Sequence, residues 1–134
     1  MATAGQIART AAAILFTAAG AMHFVRPSPY VKIIPPFIPW PLAMVYISGA
    51  AEIAGGAGLL IGRFRRAAGW GLAALLIAVF PANIYMASGH VHVTATPLPG
   101  WLLWGRLALQ PLMIWWVLWC SQTTEQNKQV LRNT

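Results

Sequence analysis

Acidic side chains are nearly missing from this chain: Glu52 and Glu125 are the only two among 134 residues. Charge of either sign is scarce, at 8% of residues against 58% hydrophobic, with mean hydropathy +0.63. That balance excludes a soluble domain, and the chain is too apolar for a disordered one. Cysteine is scarcer still. Cys120 alone excludes an intramolecular disulfide, a CxxC redox pair and a cysteine-ligated iron–sulfur cluster within one chain. It reads as an apolar filler near a helix end. No haem-ligand pair, flavin motif or metal cluster is visible. The net charge of +7 comes from few basic residues at the ends of apolar runs, with no basic stripe interleaved with aromatics. Nucleic-acid binding is therefore not expected.

What the chain does have is long apolar runs. Four read as transmembrane helices, about 6–25, 41–61, 67–88 and 100–120, each near the length that crosses a bilayer core. The expected fold is all-α, a four-helix transmembrane bundle forming one domain over 1–120, followed by a polar tail at 121–134. The first run extends to Val25, and Arg26-Pro27-Ser28-Pro29 is a poor cleavage site, so it reads as a retained helix rather than a signal peptide.

The connections differ in character. Pro27, Pro29, Pro35, Pro36 and Pro39 crowd the first, which should exclude a helix there. Its Ile33, Ile34, Phe37, Ile38 and Trp40 suit a membrane-surface segment, either a lid over the bundle or a plain connector. The second is the basic turn Gly62-Arg63-Phe64-Arg65-Arg66. Arg9, Arg63, Arg65, Arg66, Lys128 and Arg132 fall on one side, against Arg26 and Lys32 on the other. The positive-inside rule then places both termini in the cytoplasm and the proline-rich loop outside. The expected location is a cell membrane, the inner one in a bacterium. Trp40, Trp101 and Trp104 near one interface, and Trp70, Trp115, Trp116 and Trp119 near the other, fit two aromatic girdles.

Glu52 is the anomaly within this pattern. A carboxylate near the middle of an apolar span costs several kcal/mol if ionised and unpaired. On a helical wheel Ser48, Gly49, Gly55 and Gly56 lie within about 60° of Glu52, a small-residue face for close helix packing. In the fourth helix Gln110 and Met113 flank Arg106, while Trp101, Trp104, Trp115 and Trp119 occupy the opposite face. Pro81 should kink the third helix, with Asn83 just beyond. Tyr85 falls on the opposite wheel face and reads first as an interfacial anchor. Counting about 1.5 Å per residue from the outer helix ends puts His23 at about 3 Å, Asn83 at about 7 Å, Arg106 at about 9 Å, Gln110 at about 15 Å and Glu52 at about 16 Å. The set descends from the outer face and stops near the midplane, which describes a blind outward pocket rather than a channel. Arg106 is the expected partner of Glu52, and a His23–Glu52 partnership is disfavoured by the depth difference. His90 and His92 form a His-x-His pair with no third ligand, so no metal site is expected.

The residues His23-Phe24 with Pro27, Ile33-Ile34-Pro35-Pro36, Ser48-Gly49-x-x-Glu52, Arg65-Arg66, Val79 to Ala87 (Val-Phe-Pro-Ala-Asn-Ile-Tyr-Met-Ala) and Arg106-Leu107-Ala108-Leu109-Gln110 resemble DoxX-like four-helix membrane proteins. The resemblance runs roughly from residue 14 to 118 and departs at Ala108, where proline is common. It implies a quinone-linked, accessory membrane subunit that works with a redox partner protein. His23, Glu52, Asn83, Arg106 and Gln110 are the candidate ligand-binding groups and Glu52 the candidate proton donor, with quinone the candidate cofactor. Pro81, Gly49, Gly55 and Gly56 are candidate structural residues. Such a subunit is not expected to be an enzyme by itself, and an oligomer is compatible with it. The competing expectation is a scaffold or chaperone that packs against other membrane proteins, with Glu52–Arg106 purely structural. A sterol-isomerase-like proton shuttle is a weaker third.

Overall fold

A computed structural model describes residues 1–89 and 98–133, with backbone only over 123–128. Six helices are present: α1 Ala4–Val25, α2 Ser28–Ile33, α3 Pro41–Leu60, α4 Arg65–Ala78, α5 Phe80–Ala87 and α6 Gly100–Arg132. No strand occurs among the described residues. Taking α4 and α5 as one broken span, four helices are long and apolar enough to cross a membrane. Their apolar side chains face outward as well as inward: Ile14 is 64% exposed, Ile77 62% and Trp101 77%. Water would oppose that exposure and hydrocarbon would not. This is the architecture of a multi-pass membrane protein.

The spans close into a ring in which α1 packs on α3, α3 on α4, α4 on α6 and α6 on α1. The ring has a proline end, where α2 and α5 lie, and a turn end, where residues 61–64 join α3 to α4. The hydrophobic core draws on every span. Ala12, Ala13, Phe16, Leu59, Leu72, Ala73, Val117 and Cys120 bury together toward the turn end, and Cys120 is the apolar filler its surroundings suggest. Arg9 and Ser121 are also buried at this end, so its polar content exceeds the sequence expectation.

Local chemistry sets the helix limits. At Thr3 and Gln6 a reciprocal capping box starts α1. Over the proline-rich segment the expected absence of helix is corrected by α2, whose Pro29 occupies its first turn, where a missing N–H breaks no helical bond. Pro35 is fully buried and anchors the segment, while Phe37 and Trp40 stay exposed. Trp40 takes a left-handed backbone conformation (φ 49°) to start α3. Without an amide N–H, Pro81 cannot continue the ladder, and the span breaks at Val79 into α4 and α5. The last helix does not end near Cys120 as expected. It continues through the polar tail to Arg132 and carries Pro111 in its interior.

The most extensive helix contact is between α1 and α3. A Cβ at Gly49 would lie 2.6 Å from the His23 Cβ and 2.9 Å from the Gly20 carbonyl oxygen. Glycine is required there by the neighbouring helix, not by backbone conformation. Gly56 meets Ala13 and Thr17 of α1, whereas Gly55 meets Leu72 of α4, so the glycine face serves two neighbours. Gly49→Ala is expected to lower stability by about 1–3 kcal/mol through overpacking. Gly71→Ala, at a position with open space around it, should be neutral or stabilising by up to about 1 kcal/mol. Thermal unfolding of both variants in detergent checks the contrast.

Candidate functional site

The α1–α3 crossing decides the surroundings of Glu52. The Phe24 and Tyr46 rings stack 5.2 Å apart, which sets the end of α1 level with the sixth residue of α3. The proline end of α3 therefore overhangs α1 by about 8 Å. Counting depth from each helix's own end ignores this stagger and misplaces His23 relative to Glu52. His23 Nδ1 lies 3.4 Å from Glu52 Oε2, with both side chains largely buried. The same nitrogen lies 2.8 Å from the Ala19 carbonyl oxygen, the geometry of an Nδ1–H donating to it. One N–H cannot serve both acceptors well, and Glu52 Oε2 is buried with no hydrogen-bond partner.

Arg106 is not joined to Glu52 by an ion pair among the described residues. Its Nη1 instead approaches Met86 Sδ at 3.8 Å. The expected Glu52–Arg106 clasp is thus replaced by Glu52–His23. The wheel reading of α6 holds for Gln110, which is 4% exposed, and for Trp101, Trp104, Trp115 and Trp119, which are exposed, but not for Arg106, which is itself exposed.

Asn83 and Gln110 face each other. Asn83 Nδ2 donates to Gln110 Oε1 at 2.9 Å. Gln110 Nε2 in turn donates to the Leu76 carbonyl oxygen. Leu76 belongs to α4 and Asn83 to α5, so one buried amide on α6 holds both sides of the break made by Pro81. In lipid, a carbonyl freed by a helix break needs such a replacement partner. The hydroxyl on the glycine face, Ser48 Oγ, donates to Val45 O within its own helix at 2.9 Å.

Two residues outside the expected set complete the region. Tyr30 of α2 stacks on His23 with ring centroids 3.9 Å apart and an interplanar angle of 21°. Tyr30 and Arg26 also line a cleft of about 380 Å³ with Met22, Pro29, Ile33, Met86, Leu98 and Arg106. That volume lies in the range of small-molecule sites. Tyr30 thus separates the cleft from the His23–Glu52 pair. Burial pushes its phenol above the ordinary tyrosine range, Glu52 raises it further, and Arg106 opposes both. A Ser-Pro helix start followed by the one tyrosine of the proline segment is the sequence signal for this residue. No group of side chains able to hold a metal ion occurs among the described residues. His90 and His92 lie outside them.

The family model described as "Domain of unknown function (DUF8561)" matches residues 12–121. The chain belongs to this family. No curated protein and no solved structure matches the chain.

Two expectations follow from this geometry. Asn83→Ala and Gln110→Ala should each destabilise, and a double-mutant cycle should give a coupling of about 0.6–1.7 kcal/mol; additive losses in reversible detergent unfolding would separate the two amides. The Tyr30 phenol, isolated as wild type minus Tyr30→Phe in an absorbance titration, should ionise above the ordinary value of about 10. Removing a nearby negative charge eases tyrosinate formation, so Glu52→Gln should lower that midpoint. Arg106→Gln should raise it.

Proposed function

We propose that this chain is a cell-membrane protein whose proline-end cleft binds a quinone or a similar lipid-like small molecule, as an accessory subunit of a redox system. The observation that carries the reading is the cleft's composition. Met22, Ile33, Met86 and Leu98 offer an apolar wall, and Arg26, Tyr30 and Arg106 offer donors on the same surface. A quinone needs both, an apolar surface for its tail and hydrogen-bond donors for its carbonyl oxygens. Behind Tyr30, His23 and Glu52 supply a proton-active pair within reach of a small rearrangement. The resemblance to DoxX-like proteins agrees with a quinone-linked role, and electrons would come from a partner protein. In this reading both termini face the cytoplasm and the cleft opens on the other side, as the distribution of basic residues suggests.

Within this scheme Tyr30 and Arg106 contact the ligand, and Asn83 and Gln110 hold the cleft's far wall in place by fixing α5. Glu52 is the group from which a proton would be exchanged with the bound ligand, through His23.

Purified in a neutral detergent, the protein should show a dose-dependent rise in unfolding temperature of roughly 3 °C or more with short-chain ubiquinone or menaquinone analogues. Tyr30→Ala should abolish the rise. No quinone in an organic extract of the membrane-purified protein, together with no thermal response to either analogue, sinks the reading. In that case the exposed tryptophan face of α6 (Trp101, Trp104, Trp115 and Trp119) is the better guide, and it favours a scaffold that docks on other membrane proteins.

A further inference from the structure

The cleft carries positive charge that the chain itself does not balance. Its two acidic side chains are Glu52 and Glu125. Glu52 lies against His23. Glu125 follows Arg106 by 19 residues (125 − 106) in the same helix, an axial distance of about 28 Å. No third Asp or Glu exists to pair with Arg26 or Arg106. Both line the same cleft. The contact made by Arg106 is to the thioether of Met86, a weak acceptor that neutralises nothing. Lys32 follows on α2, adding a third cation to the same end of the bundle.

Two guanidiniums at one apolar-walled cleft have a definite chemical consequence. Low-dielectric walls focus their field, and an anion entering the cleft relieves their mutual repulsion. Guanidinium also matches carboxylate and phosphate oxygens in a planar, two-donor geometry that a neutral carbonyl cannot fully use. Both arginine side chains are exposed, so their donors are accessible to an incoming anionic head.

We propose that the cleft selects an amphiphile with an anionic head, held by Arg26 and Arg106, with its stem against Met22, Ile33, Met86 and Leu98. This rests on the reading of the cleft as an amphiphile site and adds the charge of the head. The anion is either the ionised form of a quinone-like ring or the carboxylate of a lipid acid, and matched probes separate the two sources.

The test is direct binding in neutral maltoside detergent at mildly alkaline pH, read by tryptophan fluorescence. One pair of probes is an alkylated hydroxynaphthoquinone, ionised under these conditions, and its neutral methyl ether. The other is oleate and oleyl alcohol. In at least one pair the ionised member should bind about tenfold more tightly than its neutral counterpart, as expected for charge-assisted hydrogen bonds. The preference should fall to about twofold or less in Arg26→Gln/Arg106→Gln, and to an intermediate value in Arg26→Lys/Arg106→Lys, which keeps the charge and loses the two-donor fork. Should the double glutamine variant fail to fold, Arg106→Gln alone must still reduce the preference.

Equal binding of ionised and neutral members by the wild type overturns the anion inference and leaves the amphiphile site standing. Discrimination confined to the oleate pair, with neither naphthoquinone binding, supports the anion inference and removes the quinone reading. Binding by none of the four probes overturns both.

Discussion

The contact on which the rest depends is the meeting of α1 and α3 at Gly20 and Gly49. Two helices can approach this closely only where neither carries a Cβ at the crossing. The approach sets the axial register of the pair, and register decides which polar groups share a level. With α3 overhanging α1, the His23 imidazole arrives beside Glu52 instead of well above it. A carboxylate in an apolar span calls for a polar neighbour, hydration or neutralisation, and the register supplies the neighbour. A bulkier residue at either glycine would separate the helices and loosen that pair.

The bundle divides its tasks along its axis. Toward the turn end, side chains from all four spans form a continuous apolar core. Toward the proline end, the span is broken at Val79, and α2 packs against α3 and α5. That end adds polar contacts to its packing. Gln110 receives the Asn83 amide and donates to the Leu76 carbonyl, so it ties the two sides of the break together. The cleft occupies the same end because a broken helix and a short surface helix leave space that straight helices would fill.

Hydropathy made the four spans legible, and the periodicity of α6 separated its buried Gln110 from its exposed tryptophans. Both are properties of single helices, which a sequence encodes locally. What could not be read was the relation between helices. Wheel angles say which face a residue occupies and nothing of how far one helix slides past another. Glu52 was therefore matched to Arg106 on another helix, and His23 was set aside on a depth count that assumed level ends. The proline segment failed for a different reason: proline density argues against helix interiors, but a six-residue helix with Pro29 in its first turn has almost no interior. Tyr30 went unseen with it. Arg9 was counted only among the basic residues on one side of the membrane, yet its side chain is buried in the bundle.

His23 and Glu52 differ from the amide network in how their hydrogen bonds are met. In that network the Gln110 oxygen accepts from Asn83 and its nitrogen donates to the Leu76 carbonyl. The imidazole Nδ1 has one hydrogen and two oxygen neighbours, the Ala19 carbonyl at 2.8 Å and Glu52 Oε2 at 3.4 Å. The nearer acceptor belongs to the backbone of the same helix and cannot move away. Glu52 Oε2 is left without a proper hydrogen bond in a buried position, where such a group carries a desolvation cost of about 1–3 kcal/mol or more. The deficit ends if the carboxyl gains a proton and finds an acceptor, or if a donor enters from outside the pair. Tyr30 covers His23 on the side of the cleft, so the route for such a donor passes the one aromatic ring carried by α2. Under-satisfaction behind a small aromatic lid is costly as architecture alone, and it is what a site needs if an incoming molecule is to complete it.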